Sequence, residues 1–234
     1  MMPFEGKLLA GVGNALRIYE LGKKKLLRKA ETKSIPNCIV SLHALGHRIV
    51  VCDVQESFHY AQYHPHESRI FVFADDTTAR WITASCMVDY DTMAGGDKFG
   101  NFFLSRVPKE TSEELELDPT GSKVTPDRTA LQGAPHKVVN LAHYFVGDMI
   151  TSVHKCVLHT GARPVLLYTT LLGAIGIFVP FLTREDVEFF QSLEMHMRSD
   201  IASLCGRDHL SYRGTFVPVK VVTACMQVRC VERC

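Results

Sequence analysis

The chain has 234 residues, 46% of them hydrophobic, with 26 Lys+Arg against 25 Asp+Glu and a formal net charge of +1. That hydrophobic share can fill a core, which excludes a disordered chain. The balanced charge leaves no global field to favour nucleic acid or an anionic membrane as a partner.

Along the chain one unit recurs: a short apolar strand, a turn of small or polar residues, and a second strand of alternating character. It occurs at Lys7 to Leu21, His47 to Tyr63, Val88 to Val107 and Val165 to Phe181. The first three copies start about forty residues apart, the length that a four-stranded propeller blade requires. Lys25 to Thr32, Cys38 to Ala44, Arg69 to Ala74 and Trp81 to Met87 supply the remaining strands. Such a sheet cannot bury both faces alone, and stacking blades about an axis is the remedy. The expected fold is mainly β: a partial WD40-like β-propeller of about four blades over residues 1–182, then a short α-helical segment within 183–234.

Within that frame the first notable segment is basic, with Lys23, Lys24 and Lys25 followed by Arg28 and Lys29. It follows Gly22 between two strands and reads as a charged hairpin tip that keeps the sheet soluble; a phosphate contact or import signal is the alternative. Cys38, Cys52, Cys86 and Cys156 sit in apolar strand-like runs, where cysteine acts as a small hydrophobe, so the chain's eight cysteines are expected to be reduced. His64 and His66 with Asp75 and Asp76 offer imidazoles and carboxylates, but without the spaced pairs of a zinc site no metal is expected. Trp81, the single tryptophan, follows Arg80 at a strand start. Core packing is the expectation for it, with a partner anchor as the alternative. Gly95 to Gly100 (GGDKFG) is Gly-rich with a lysine, yet it runs from strand to strand, which makes a hairpin turn of it and not a phosphate cradle.

Pro108 to Pro135 is rich in Glu, Asp, Thr, Gly and Pro and reads as a long solvated loop, with a turn at Asp118 to Gly121. Strands resume at Val138 to Phe145 and Met149 to Leu158. The uncharged run Val165 to Leu182 approaches the lower length limit of a membrane helix, but Thr169, Thr170, Gly173, Gly176 and Pro180 punctuate it, so it reads as a buried hairpin. After Phe181 the period changes to 3.6. Thr183 to Asp186 resembles a capping box, and Val187, Phe190, Leu193, Glu194 and Met197 fall on adjacent turns of a helix of about four turns. From Val221 onward no element is predicted. No hydrolase, metalloprotease or Walker motif is present, so neither an enzyme nor a cofactor is expected. The absence of a glycosylation sequon and of a signal peptide points away from secretion.

Several blocks carry a resemblance: LGKKKLLRK (21–29), DVQESF (53–58), FADD (73–76), DYDT (89–92), DKFGN (97–101), DPTG (118–121), LEMHMR (193–198) and CGRDHL (205–210). In this order they resemble the propeller-scaffold family that holds the third subunit of splicing factor 3b and the large subunits of the cleavage and polyadenylation specificity factor and of the damaged-DNA-binding protein. The likeness runs from about Lys7 to Lys220. It implies part of a third propeller, lacking the first two, with the family's acidic helical tail replaced by Val221 to Cys234.

The implied function is a nuclear, non-catalytic scaffold for pre-mRNA splicing at the branch site. Its implied partners are the HEAT-repeat subunit and the small helical subunit of splicing factor 3b, with RNA reached only through the complex. The partner-facing stretches carried over are Thr77 to Lys98 and Met149 to Leu172. The residues within them are Arg80, Trp81, Asp89, Tyr90, Asp91, Lys98, Lys155, Tyr168, Thr169 and Thr170, with single contacts at Asn37 and Lys220. A nucleic-acid-binding propeller of the same family and a truncated paralogue without function are the alternatives. A propeller hides its sheets only when each blade has two neighbours. Leu8, Leu9, Leu16 and Ile18 of the first blade, and Leu166, Leu167, Ile175 and Phe178 of the last, are therefore expected to be open.

Overall fold

The computed structural model describes residues 1–117, 133–181 and 183–200, and the backbone of 215–217 and 220–222. Strands β1 (Met2–Phe4), β2 (Lys7–Val12), β3 (Ala15–Leu21) and β4 (Leu26–Thr32) form the first blade, an antiparallel meander in that order. The basic segment is its tip, where the Gly22 N–H donates to the Lys25 carbonyl at 3.0 Å. Lys29 is paired with Glu20 at 2.7 Å and Arg17 with Glu31 at 3.0 Å. The second blade contains β5 (Ile39–Leu45), β6 (Arg48–Asp53), β7 (Phe58–His64) and β8 (Arg69–Asp75). The third begins with β9 (Ile82–Met87), β10 (Thr92–Asp97) and β11 (Asn101–Arg106).

The next segment departs from the expected loop. Helix α1 (Lys109–Leu117) forms there, with Thr111, Ser112 and Leu115 buried. Its periodicity is weak because little of it touches the core; Leu115 alone joins the cluster that contains Val50, Tyr60 and Phe103. The turn at Asp118 to Gly121 lies outside the described residues. The chain then adds β12 (His136–Lys137) parallel to β8 on the outer edge of the second blade, and β13 (Val139–Phe145) antiparallel to β11 as the outer strand of the third. The fourth blade has β14 (Ile150–Val157), β15 (Pro164–Thr170) and β16 (Ile175–Phe178). Helix α2 (Arg184–Asp200) follows, its start capped by the Thr183 hydroxyl, which accepts the Asp186 N–H at 3.2 Å. Strands β17 (Thr215–Val217) and β18 (Lys220–Val222) pair with each other. No described helix is long and apolar enough to cross a membrane.

The blades pack in series, and the strand period of two explains how an inner blade serves both neighbours. Along β6, Ile49 and Val51 join Leu9, Leu16 and Ile18 of the first blade, while Val50 and Cys52 join Met93 and Phe103 of the third. Along β11, Phe103 faces the second blade and Phe102 meets Ile150, Val153 and Leu166 of the fourth. Glycine makes two of these approaches possible. A Cβ on Gly11 would lie 2.7 Å from Ile39, and one on Gly96 would lie 2.6 Å from Ile150.

Three expectations about exposure are corrected. Leu9, Leu16 and Ile18 are fully buried because that face of the first blade lies against the second; its other face carries the half-buried Arg17–Glu31 pair. In the last blade Leu166 is buried and Phe178 stacks on Phe102 at 4.0 Å, so of the residues named only Ile175 is exposed. The segment read as a buried hairpin is a hairpin from Val165 to Phe178, but its turn and the outward face of its second strand are open, with Leu171, Leu172, Ile175 and Ile177 all exposed, as is Val179 just beyond. The four described cysteines are free thiols. Cys52 is buried, whereas Cys38 is exposed just ahead of β5 and is not a packing residue.

Candidate functional site

Antiparallel strands send successive turns to opposite ends of a blade. One end gathers the start of β9, the β10–β11 turn, the start of β14 and the β15–β16 turn. Main-chain hydrogen bonds join them. The Lys98 N–H donates to the Trp81 carbonyl at 3.0 Å, and the Gly100 carbonyl accepts the Val146 N–H at 2.8 Å. The Leu171 N–H donates to the Met149 carbonyl at 2.9 Å. Between them, the Asp148 carboxylate accepts the N–H groups of Met149 at 2.8 Å and Leu172 at 2.9 Å. The Thr170 hydroxyl and the Leu172 amide hold that carboxyl below the usual range. Gly100 has φ +86, and a Cβ there would lie 2.7 Å from the Asp148 nitrogen, so this junction requires glycine.

On this frame stand exposed groups: Trp81 at 39%, Leu171 at 63% and Leu172 at 86% relative exposure. The Lys98 ammonium lies 3.2 Å from the centroid of the Trp81 ring and 5.0 Å from that of Phe99. Trp81 is thus on the surface, contrary to the core expectation, and a cation–π contact orients its indole. The turn beneath is held by Asp97, which accepts the Phe99 N–H at 2.9 Å, the Asn101 N–H at 2.8 Å and the Asn101 side-chain amide at 2.7 Å. Burial raises the Asp97 pKa, and these bonds from Asn101 and Phe99 oppose the rise.

Arg80, carried over as partner-facing, points inward. It is 5% exposed and paired with Asp76, donates to Asn140 at 3.1 Å, and stacks 4.1 Å over Phe103. Asp76 also accepts the Ser57 hydroxyl at 2.7 Å and the Thr78 N–H at 3.0 Å. Arg80 is a staple under the surface that carries Trp81.

Asp89, Tyr90 and Asp91 lie at the opposite end, separated from Trp81 by the six residues of β9, about 20 Å. Thr77 to Lys98 is therefore not one face. At that end Arg48, fully buried, is paired with Asp91, donates to Ser112 at 3.2 Å, and sits 4.2 Å over Tyr90 and 5.1 Å over Phe73. Asp89 accepts Arg106 at 3.3 Å, and Lys155 donates to the Val88 carbonyl at 2.6 Å. Tyr168 is mid-sheet, stacked 4.8 Å from Phe178, while Thr169 turns to the other face and meets Thr151 and Ser152. Asn37 is exposed at the Trp81 end, its amides bound to Asp53 at 2.9 and 3.1 Å. Lys220 opens β18, and only its backbone is described. Sequence reasoning missed Arg48; its signal was an arginine opening a strand ahead of the apolar run Ile49 to Cys52.

The carboxylates considered for metal have other work. Asp75 accepts Lys137 at 2.5 Å and the Ala134 N–H at 2.9 Å, and Asp76 is held as above. No group of three or more His, Cys, Asp or Glu fit for a metal occurs among the described residues. A seam between the second and third blades does bring titratable groups together. Ser85 meets His43 at 2.8 Å, Ser41 at 2.7 Å and Cys52 at 3.4 Å. Burial keeps His43 neutral and pushes the Cys52 thiol up to about 11, so the seam holds neutral partners that satisfy one another.

Burial also lowers the pKa values of His59 and His143, the latter to about 4 with help from the Arg80 charge. A histidine whose folded pKa is depressed binds its proton better when unfolded, so stability falls as pH drops from about 6.5 toward about 4. Asp97, with a raised pKa, acts in the opposite sense over part of that range, but three histidines outweigh it. The melting temperature is expected to fall steadily between about pH 7 and about pH 5. A flat profile would show these imidazoles to be hydrated.

Comparison with known proteins supplies a family. The CPSF A subunit region family matches residues 1–231. The chain is 56% identical over 220 residues to the probable splicing factor 3B subunit 3 of Dictyostelium discoideum and 52% identical over 220 to splicing factor 3B subunit 3 of Danio rerio. It is 52% identical over 219 residues to the pre-mRNA-splicing factor RSE1 of Mycosarcoma maydis. Each match covers 94% of this chain and 18% of the relative, so the chain spans under a fifth of the length of these relatives.

Proposed function

Because the chain belongs to the CPSF A subunit region family, we propose that it is a protein-binding scaffold of the splicing factor 3b complex, acting in the nucleus in pre-mRNA splicing at the branch site. Its partners in this reading are the HEAT-repeat subunit and the small helical subunit, and RNA is reached only through the complex. The observation that carries it is the end surface: an exposed indole oriented by Lys98, beside Leu171 and Leu172, on turns tied together by main-chain bonds. Exposed tryptophan on a rigid frame is what protein interfaces use as an anchor, since little side-chain freedom is lost on binding. A single-strand RNA track would instead line a basic groove with several aromatic rings. Catalysis would need titratable groups converging on a cleft, whereas Asp76 and Arg80 are paired with each other and Asp75 is paired with Lys137.

Trp81→Ala is expected to weaken binding of the purified HEAT-repeat subunit by about 2 kcal/mol, roughly thirtyfold in Kd, with the melting temperature nearly unchanged. Unchanged affinity at equal folded protein would remove this end from the interface.

A further inference from the structure

The net charge of +1 conceals a segregation. Residues 1–33, which span the first blade, hold eight Lys and Arg against three Glu and no Asp, a balance of +5 that leaves −4 for the remainder. The three glutamates are all engaged. Glu5 meets His47 at 2.5 Å, Glu20 meets Lys29 at 2.7 Å, and Glu31 holds Arg17 at 3.0 Å as well as Arg28. The excess gathers at the β3–β4 tip, where Lys23, Lys24 and Lys25 are exposed and no carboxylate among the described residues pairs with them. Beneath these lysines stand leucines, which a purely solubilising tip has no use for. Leu21 and Leu26 lie opposite each other in the β3–β4 register and are 80% and 50% exposed. Side chains directly opposite share a face, so the two form one apolar step. The tip closes tightly, since a Cβ on Gly22 would lie 2.8 Å from the Lys25 carbonyl oxygen and 3.1 Å from Leu27.

We infer that this tip docks an acidic segment of a protein partner, with carboxylates at the ammonium groups of Lys23, Lys24 and Lys25 and an apolar side chain on the Leu21–Leu26 step. Lysine ammoniums are point charges on flexible stems, so the match is to the alternation of acidic and apolar residues and not to one fixed geometry. Segments of that composition are disordered before they bind, and the ordering they undergo keeps the affinity modest. RNA fits less well. A single-strand RNA site joins basic groups to rings on which bases stack, and no aromatic residue occurs from Glu20 to Lys33. The arginines of this blade, which would fork onto phosphate, are held by Glu31. The tip is also remote from the Trp81 surface. The Gly13 carbonyl accepts the Ile39 N–H at 2.9 Å close to Asn37, which sets the start of β3 at the Trp81 end. The seven residues of β3, about 23 Å, carry the tip to the other end, so the two surfaces stand or fall separately.

Fluorescence anisotropy with the whole chain and three labelled probes tests it: a peptide of repeated Glu-Glu-Leu, its Gln-Gln-Leu counterpart, and an oligouridylate of equal length. The acidic peptide is expected to bind with a Kd of about 10 to 100 µM at about 0.05 M salt, and roughly tenfold more weakly at about 0.5 M, where exposed charges are screened. The Gln-Gln-Leu peptide, which needs no change to the protein, should bind at least about tenfold worse. Lys23→Gln, Lys24→Gln and Lys25→Gln together should weaken the acidic peptide by about tenfold or more with the far-ultraviolet spectrum unchanged. Leu21→Ser with Leu26→Ser should weaken it by roughly three- to tenfold. Trp81→Ala should bind the peptide like the parent. No peptide binding at about 1 mM, or binding that survives the lysine replacements, would overturn the inference. Oligouridylate held more tightly than the peptide by the same lysines would overturn it too, and would make the tip a nucleic-acid contact.

Discussion

Asp91→Ala is expected to lower the stability of the chain by about 3 kcal/mol or more, although Asp91 lies in a surface connection. Its carboxylate is the counter-ion of Arg48, whose side chain is 1% exposed. Without it the guanidinium keeps only the Ser112 hydroxyl at 3.2 Å and the rings of Phe73 and Tyr90. A buried charge with those partners has lost far more than a surface ion pair, for which about 0 to 1 kcal/mol is usual. Three parts loosen together, because Arg48 belongs to the second blade, Asp91 to the third, and Ser112 to α1. Arg48→Met, which removes the charge and refills much of the space, should cost clearly less. Urea midpoints at constant slope decide it. Equal midpoints for Asp91→Ala and the parent would mean that Arg48 reaches water. The outcome also bears on function, since a partner-binding defect in Asp91→Ala would have to be measured on the folded fraction alone.

Arg80→Ala and Trp81→Ala are neighbours in sequence and should behave as opposites. Arg80→Ala leaves the Asp76 carboxylate, whose side chain is 0% exposed, with the Ser57 hydroxyl and the Thr78 amide. It also empties the space over Phe103 and deprives Asn140 of its donor. Truncating one partner of a buried pair costs about 3 to 5 kcal/mol, a large share of the ~5 to 15 kcal/mol that holds an ordinary domain together. Arg80→Ala should therefore melt far below the parent, while Trp81→Ala melts close to it and loses partner affinity. Asp76→Asn combined with Arg80→Met should recover much of the stability, because no unpaired charge is then left inside. An Arg80→Ala protein that melts normally but no longer binds would reverse the assignment and return Arg80 to the surface.

The strands and the terminal helix were legible because their signals are local. Gly13 at φ +61 between two alternating runs makes the first hairpin, and the Thr183 hydroxyl starts α2. Helix α1 was not legible, since its acidic segment resembles a solvated loop until Leu115 finds Val50, Tyr60 and Phe103 across two blades. The candidate site was readable only in part. Lys98 and Trp81, named together from the resemblance, do meet at one end of the blades, but a contiguous stretch was taken for a contiguous surface. An antiparallel strand carries its two ends to opposite sides of the blade, so Trp81 and Tyr90 cannot share a face.

By itself, then, the order of residues determined most of the strands, the terminal helix, the four-blade arrangement and, through its blocks of resemblance, the family. Period, turn chemistry and motif order act within a few residues or survive as text, and each is complete before the chain folds. What only the tertiary structure decided was which side of a residue meets water. Charge predicts exposure for Arg80 and Arg48 and indole predicts burial for Trp81, yet Asp76 and Asp91 draw the arginines inward and Lys98 holds the tryptophan at the surface. Those outcomes depend on partners that other strands bring, and the free energy of a buried pair exists only once both charges have left water together.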